Sequence, residues 1–154
     1  MRTILILLYG AGLRVQEAVD LNRIDVDVSA SLLTVRQTKF GKTRLVPVGT
    51  QLNSVLHEYA ARSPASASHG PFFTTRTGPR VNTDTLQHNY RFLCGQAGIR
   101  REDGARYQPR LHDLRHSFAV HRLIAWYQQG ADVQKLLPQL SVYLGHVHIS
   151  ATQV

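Results

Sequence analysis

The chain has 154 residues, enough for one domain, and its 43% hydrophobic and 18% charged content builds a packed core and excludes a disordered polymer. Its formal net charge is +8, and 15 of the 18 basic residues are arginine. That excess points to nucleic acid as partner, because a guanidinium fork grips phosphate oxygens in pairs where an ammonium acts as a point charge.

The chain opens Met1-Arg2-Thr3-Ile4-Leu5-Ile6-Leu7-Leu8, and Tyr9 and Gly10 end the apolar run. Such a run is too short for a membrane span and marginal for a secretory signal. Residues 2–9 are therefore expected to form a buried helix, stopped by Gly10-Ala11-Gly12. A second helix is expected over 13–21, with Val15, Ala18, Val19 and Leu21 on its apolar side. The period then falls to two. Leu33, Val35 and Gln37 alternate with Leu32, Thr34 and Arg36, and Arg44-Leu45-Val46-Pro47-Val48 follows the basic stretch Lys39-Phe40-Gly41-Lys42. This is the pattern of a β-hairpin. Pro47 has no N–H to donate, which confines its strand to a sheet edge or puts the proline at the strand's end.

Helical spacing returns over 51–61 through Leu52, Val55, Leu56 and Tyr59. Residues 63–71 form a loop of small residues, and Phe72-Phe73 re-enter the core. Asn82 or Thr83 caps a helix reaching about Ala97. That helix carries Cys94 as a buried thiol; as the sole cysteine it excludes an internal disulfide and suits a reducing compartment. Residues 99–110 are a basic loop bearing Arg100, Arg101, Arg106 and Arg110. A helix follows from Leu111 or His112 to about Gln129, then another over 131–144, which Pro138 is expected to kink or divide. The fold expected is mainly α with a small antiparallel β-sheet, an α+β single domain.

The chemistry-bearing residues cluster in His112-Asp113-Leu114-Arg115-His116. On a helix His112 and Arg115 stand about 60° apart, so an imidazole and a guanidinium point into one space, with Arg115 open to solvent and substrate. Such a pair suits a phosphate. A metal is the rival reading, because His112 and His116 have the i, i+4 spacing of metallohydrolase ligands. There Asp113 replaces the expected glutamate, Arg115 sets a cation beside the metal, and spacing supplies no third ligand, although His121 and His146 exist.

Four segments in order resemble the tyrosine recombinases, the phage-integrase family. Gly12-Leu13-Arg14 with Glu17 and Leu21 is similar to the first arginine box, and Lys39 stands in a hairpin turn where the family has a lysine. His112-Asp113-Leu114-Arg115-His116-Ser117-Phe118-Ala119 matches the second arginine box, and Leu144-Gly145-His146 resembles the Gly-His box. The resemblance implies an integrase-like DNA breaking-rejoining catalytic domain acting on double-stranded DNA in site-specific recombination or integration. It implies that Arg14 and Arg115 bind the scissile phosphate and that Lys39 protonates the leaving 5′ oxygen. His112 would contact the phosphate or assist proton removal from the nucleophile, and His146 would donate to the phosphate. Glu17 would orient Arg14, Asp113 would support the loop or an arginine, and His116 would pack beside them.

In the reaction so implied, a tyrosine attacks the phosphodiester, forms a 3′-phosphotyrosyl link and frees a 5′ hydroxyl. Another 5′ hydroxyl reverses the step, with neither metal nor nucleotide cofactor. The family's tyrosine follows the Gly-His histidine by nine residues, which from His146 falls one position after Val154. None of the six tyrosines has that spacing, and Tyr9, Tyr59 and Tyr90 fall at helical core positions. The 154 residues are thus expected to be a catalytic domain without the N-terminal DNA-clamping domain and the tyrosine segment, inactive alone. In full-length form the partners would be other protomers, in a tetramer on paired DNA sites, in the cytoplasm of a bacterium or encoded by a phage or mobile element, with no membrane involved. A catalytically inactive DNA-binding remnant is the alternative reading, with a metallohydrolase using His112 and His116 third.

Overall fold

The computed structural model describes residues 1–36, 43–62, 69–103 and 109–145. The first helix, α1 (Arg2–Ala11), is central to the core: Ile4, Leu7, Leu8 and Ala11 form an i, i+3, i+4, i+7 stripe and are all buried. It ends because Gly12 adopts the left-handed conformation (φ 60°, ψ 26°), which a glycine accepts without steric cost. Tyr9 lies off that stripe. It is exposed and hydrogen-bonds His121 Nδ1 at 2.7 Å, so the core position expected for it is corrected.

The second helix, α2 (Val15–Asp20), is shorter than its apolar pattern suggests. Arg14 precedes it in extended backbone conformation, and Leu13 and Leu21, buried at either end, belong to the flanking chain. After a 3₁₀ turn (Arg23–Asp25), β1 (Val26–Asp27), β2 (Leu32–Val35) and β3 (Arg44–Pro47) make a three-stranded antiparallel sheet in the order β1-β2-β3. The register sets Val26 opposite Leu33, Leu33 opposite Val46 and Val35 opposite Arg44. Pro47 closes β3, which is an edge strand, as its missing N–H requires.

Helix α3 (Thr50–Arg62) buries Leu52 and Leu56, while Phe72 and Phe73 enter the core beside Tyr59. Helix α4 (Thr83–Gln96) is capped by Asn82, whose side chain accepts the Asp84 N–H at 2.7 Å, and it buries Cys94. Helices α5 (Leu111–Gln128) and α6 (Val133–Leu144) share a second apolar cluster of Phe118, Ala119, Leu140 and Leu144. Pro138 does not divide α6. It forfeits the bond its own N–H would make to residue 134, and the helix continues to Leu144. The architecture is mainly helical with one small antiparallel sheet. Among the described residues no helix is long and apolar enough to cross a membrane.

Candidate phosphate-binding site

Four pieces of chain converge where α1 ends: the Gly12–Arg14 connection, the inner face of α5, the start of β3 and the C-terminus of α6. Gly12 is the pivot. A Cβ there would stand 2.5 Å from Phe118 Cδ1 and 3.0 Å from Leu144 Cδ2, so no larger residue lets α1 approach α5 and α6 this closely.

Arg115 projects inward from α5 and is only 3% exposed, not open to solvent as its sequence position suggests. Its Nη1 donates to the Gly12 carbonyl and its Nη2 to the Leu144 carbonyl, each at 2.6 Å. The spacing from His112 leaves Arg115 on the flank that α1 and α6 cover, and packing decided the direction. Burial, and then the neighbouring cations Arg14 and Arg44, weigh against its charged form and bring its pKa down to about 10, with Glu17 opposing. At neutral pH it is still a cation, held inside the protein next to a second one.

That second cation is Arg14, whose side chain is 32% exposed. Nη1 donates to Glu17 Oε1 at 2.8 Å and Nη2 to the Gly145 carbonyl at 3.0 Å. The Arg14 backbone N–H donates to Glu17 Oε2 at 2.9 Å, closing the first turn of α2 from outside. Arg44, at the start of β3, adds Nη1 to Oε1 at 2.9 Å and Nη2 to Oε2 at 2.8 Å. Each Glu17 oxygen therefore accepts two hydrogen bonds. Burial alone would raise the Glu17 pKa, but the bonds from Arg44 and Arg14 outweigh it and bring the carboxyl down to about 2. Glu17 thus holds Arg14 through both its backbone N–H and its guanidinium.

Three guanidiniums also meet three successive carbonyls at the end of α6. Arg44 Nε holds Tyr143 at 3.1 Å, Arg115 holds Leu144 and Arg14 holds Gly145. Arg44 is the residue that sequence reasoning missed, having served there only as part of a strand. A signal existed: Arg44 is in phase with the buried Val46, while Leu45 and Pro47 face out.

His112 and His116 sit on the exposed side of α5 with their rings edge to face at 4.9 Å. His112 is held below the ordinary histidine range by partial burial, then by His116, Arg115 and Arg110, with Asp113 opposing. Its ring is thus neutral at pH 7 and able to accept a proton. Asp113 caps its own helix, taking the Arg110 N–H at 2.8 Å and the Arg110 guanidinium at 3.3 Å. Among the described residues no group of three His, Cys, Asp or Glu side chains gathers to hold a metal ion, so nothing there joins His112 and His116 as a third ligand. Lys39, His146 and Tyr107 lie outside the described residues. Tyr143 stacks on Phe118 and donates to the Pro47 carbonyl at 3.4 Å, and burial raises its pKa, which disfavours a phenolate.

The model of the Phage integrase family matches residues 1–154. The chain is 42% identical over 151 residues to the integrase/recombinase y4rB of Sinorhizobium fredii, covering 96% of this chain and 48% of that protein. It is 35% identical over 153 residues to the tyrosine recombinase XerC of Chromobacterium violaceum, covering 99% of this chain and 46% of the other. In three dimensions it superposes on the crystal structure of XerA recombinase with a TM-score of 0.77 at 28% identity, covering 98% of this chain and 49% of that one. The chain thus spans about half the length of the relatives it matches.

Proposed function

The chain belongs to the phage integrase family, and from that premise we propose that it forms the phosphate-gripping half of a tyrosine-type site-specific DNA recombinase. The observation that carries this reading is the meeting of Arg14 and Arg115 on adjacent carbonyls, Gly145 and Leu144, with Glu17 fixing Arg14. A partly exposed Arg14 backed by the buried cation Arg115 suits the non-bridging oxygens of a scissile phosphate. The two cations stabilise the extra charge of its pentacoordinate transition state without needing to reorganise. His112, exposed on α5 and held below the ordinary histidine range, would accept the nucleophile's proton or donate to the phosphate. Lys39 would act as general acid on the leaving 5′ oxygen and His146 as a further donor.

In this reading the nucleophile is a tyrosine nine residues beyond His146, and the partners are duplex DNA and further protomers. Tyr9, Tyr59 and Tyr143 are each engaged in packing or hydrogen bonds of their own, which supports assigning the nucleophile elsewhere. The test is a nicked DNA duplex offered to residues 1–154 and to a chain extended through that tyrosine. Both should bind, with affinity falling steeply as salt rises, and only the extended chain should become covalently attached. An extended chain that binds DNA but never forms the adduct would leave a DNA-binding remnant. Failure of both to bind would remove the nucleic-acid reading.

A further inference from the structure

Arg44 stands outside the four boxes, yet it connects their parts. Its guanidinium grips both oxygens of Glu17, and its Nε holds the Tyr143 carbonyl, two residues before Gly145. It also occupies the space over Gly145. That glycine has φ 69°, and a Cβ on it would stand 3.0 Å from Arg44 Nη1 and 3.2 Å from Cζ. The Arg44 side chain is 15% exposed, against 32% for Arg14, so it is the more enclosed of the two partners of Glu17.

The electrostatic consequence concerns Arg14. A buried carboxylate draws any cation within reach, and Glu17 facing Arg14 alone would neutralise the charge that the phosphate needs. Arg44 supplies two of the four hydrogen bonds that Glu17 accepts, and with them a compensating charge. We propose that Arg44 is a positioning residue of the phosphate site: it satisfies Glu17 so that Arg14 keeps its charge for the phosphate, and it fixes the turn at Gly145 against which Arg14 is aligned. The proposal rests on the reading of Arg14 as a phosphate ligand.

A lysine at 44 keeps the charge but lacks the fork, and one ammonium cannot span both Glu17 oxygens and the Tyr143 carbonyl. The experiment measures the affinity of residues 1–154 for a short random-sequence DNA duplex in four chains: unaltered, Arg44→Lys, Glu17→Gln and the double variant. Thermal unfolding is followed alongside. Arg44→Lys should weaken binding about tenfold, and much less in the Glu17→Gln background, where no carboxylate competes for Arg14. The Glu17 carboxyl, followed by carbon NMR, should titrate well above its present value of about 2 in Arg44→Lys.

Equal losses in both backgrounds, or failure of Arg44→Lys to fold whether or not Glu17 is present, would confine Arg44 to bracing the fold and overturn the proposal. Unchanged affinity in Arg44→Lys would overturn it equally. If the unaltered chain does not bind the duplex, the reading of Arg14 falls, whereas an unmoved Glu17 titration in Arg44→Lys strikes at Arg44 itself.

Discussion

Two arginine networks lie on either side of Glu17, and they differ in the charge that is left over. On one side Arg14 and Arg44 share that single carboxylate, and together with Arg115 they hold four backbone carbonyls, those of Gly12, Tyr143, Leu144 and Gly145. On the other, Arg36 pairs with buried Asp25 at 2.5 Å, while Arg80 binds the Val19 carbonyl at 2.6 Å and Asn22 Oδ1 at 2.6 Å. This second network lines a cleft of about 410 Å³ where, with Glu17 already engaged by Arg14 and Arg44, the carboxylates of Asp20 and Asp25 balance the guanidiniums of Arg36 and Arg80. Both networks look alike as hydrogen-bond diagrams. A phosphate distinguishes them, because it is attracted by surplus cation and finds none in the balanced cleft. Capped carbonyls and paired arginines thus mark a rigid region, and only the residual charge marks an anion site.

The comparison breaks most directly at Arg115. Arg115→Ala strands the Gly12 and Leu144 carbonyls in the interior and should cost on the order of 4 kcal/mol of stability, measured by denaturant unfolding. Unchanged stability would show that this arginine serves phosphate alone. Next comes acid. With a folded pKa of about 2 against an ordinary 4.5, Glu17 contributes stability that is present in full above pH 4.5 and lost as pH falls toward 2. The contribution is about 3 kcal/mol, and Glu17→Gln should flatten that part of the pH–stability curve.

Arg80→Ala should cost about 2 kcal/mol by freeing the Val19 carbonyl and Asn22, yet leave the salt dependence of DNA binding unaltered. A changed salt slope would erase the distinction between the networks. The smallest stability effect is expected for the partly exposed Arg14: Arg14→Ala should cost about 1 kcal/mol while weakening DNA binding about tenfold. Loss of binding without loss of stability would place the two roles on different arginines.

Most of the helices are legible in the chain because their apolar residues recur at helical spacing over about two turns or more, as in Ile4, Leu7, Leu8 and Ala11. The hairpin is legible by alternation. Strand β1 is not, since two residues carry no period, and its existence rests on the pairing of Val26 with Leu33. The length of α2 was overestimated because Leu13 and Leu21 are buried by neighbouring elements while outside the helix. At the site, the association of Arg14 with Glu17 follows from three-residue spacing. The inward turn of Arg115 and the grip of Arg44 on Glu17 and Tyr143 do not. Their partners are 103, 27 and 99 residues distant, and no local pattern encodes such encounters.

The end of α6 gives the cation surplus its tolerance. Aligned peptide dipoles leave about half a negative charge at a helix C-terminus, and the last carbonyls of α6 are those that Arg44, Arg115 and Arg14 hold. The helix is therefore a built-in counter-ion, covalently supplied and impossible to wash away. A protein so equipped keeps its guanidiniums gathered while nothing is bound, and needs no borrowed anion to fold around them.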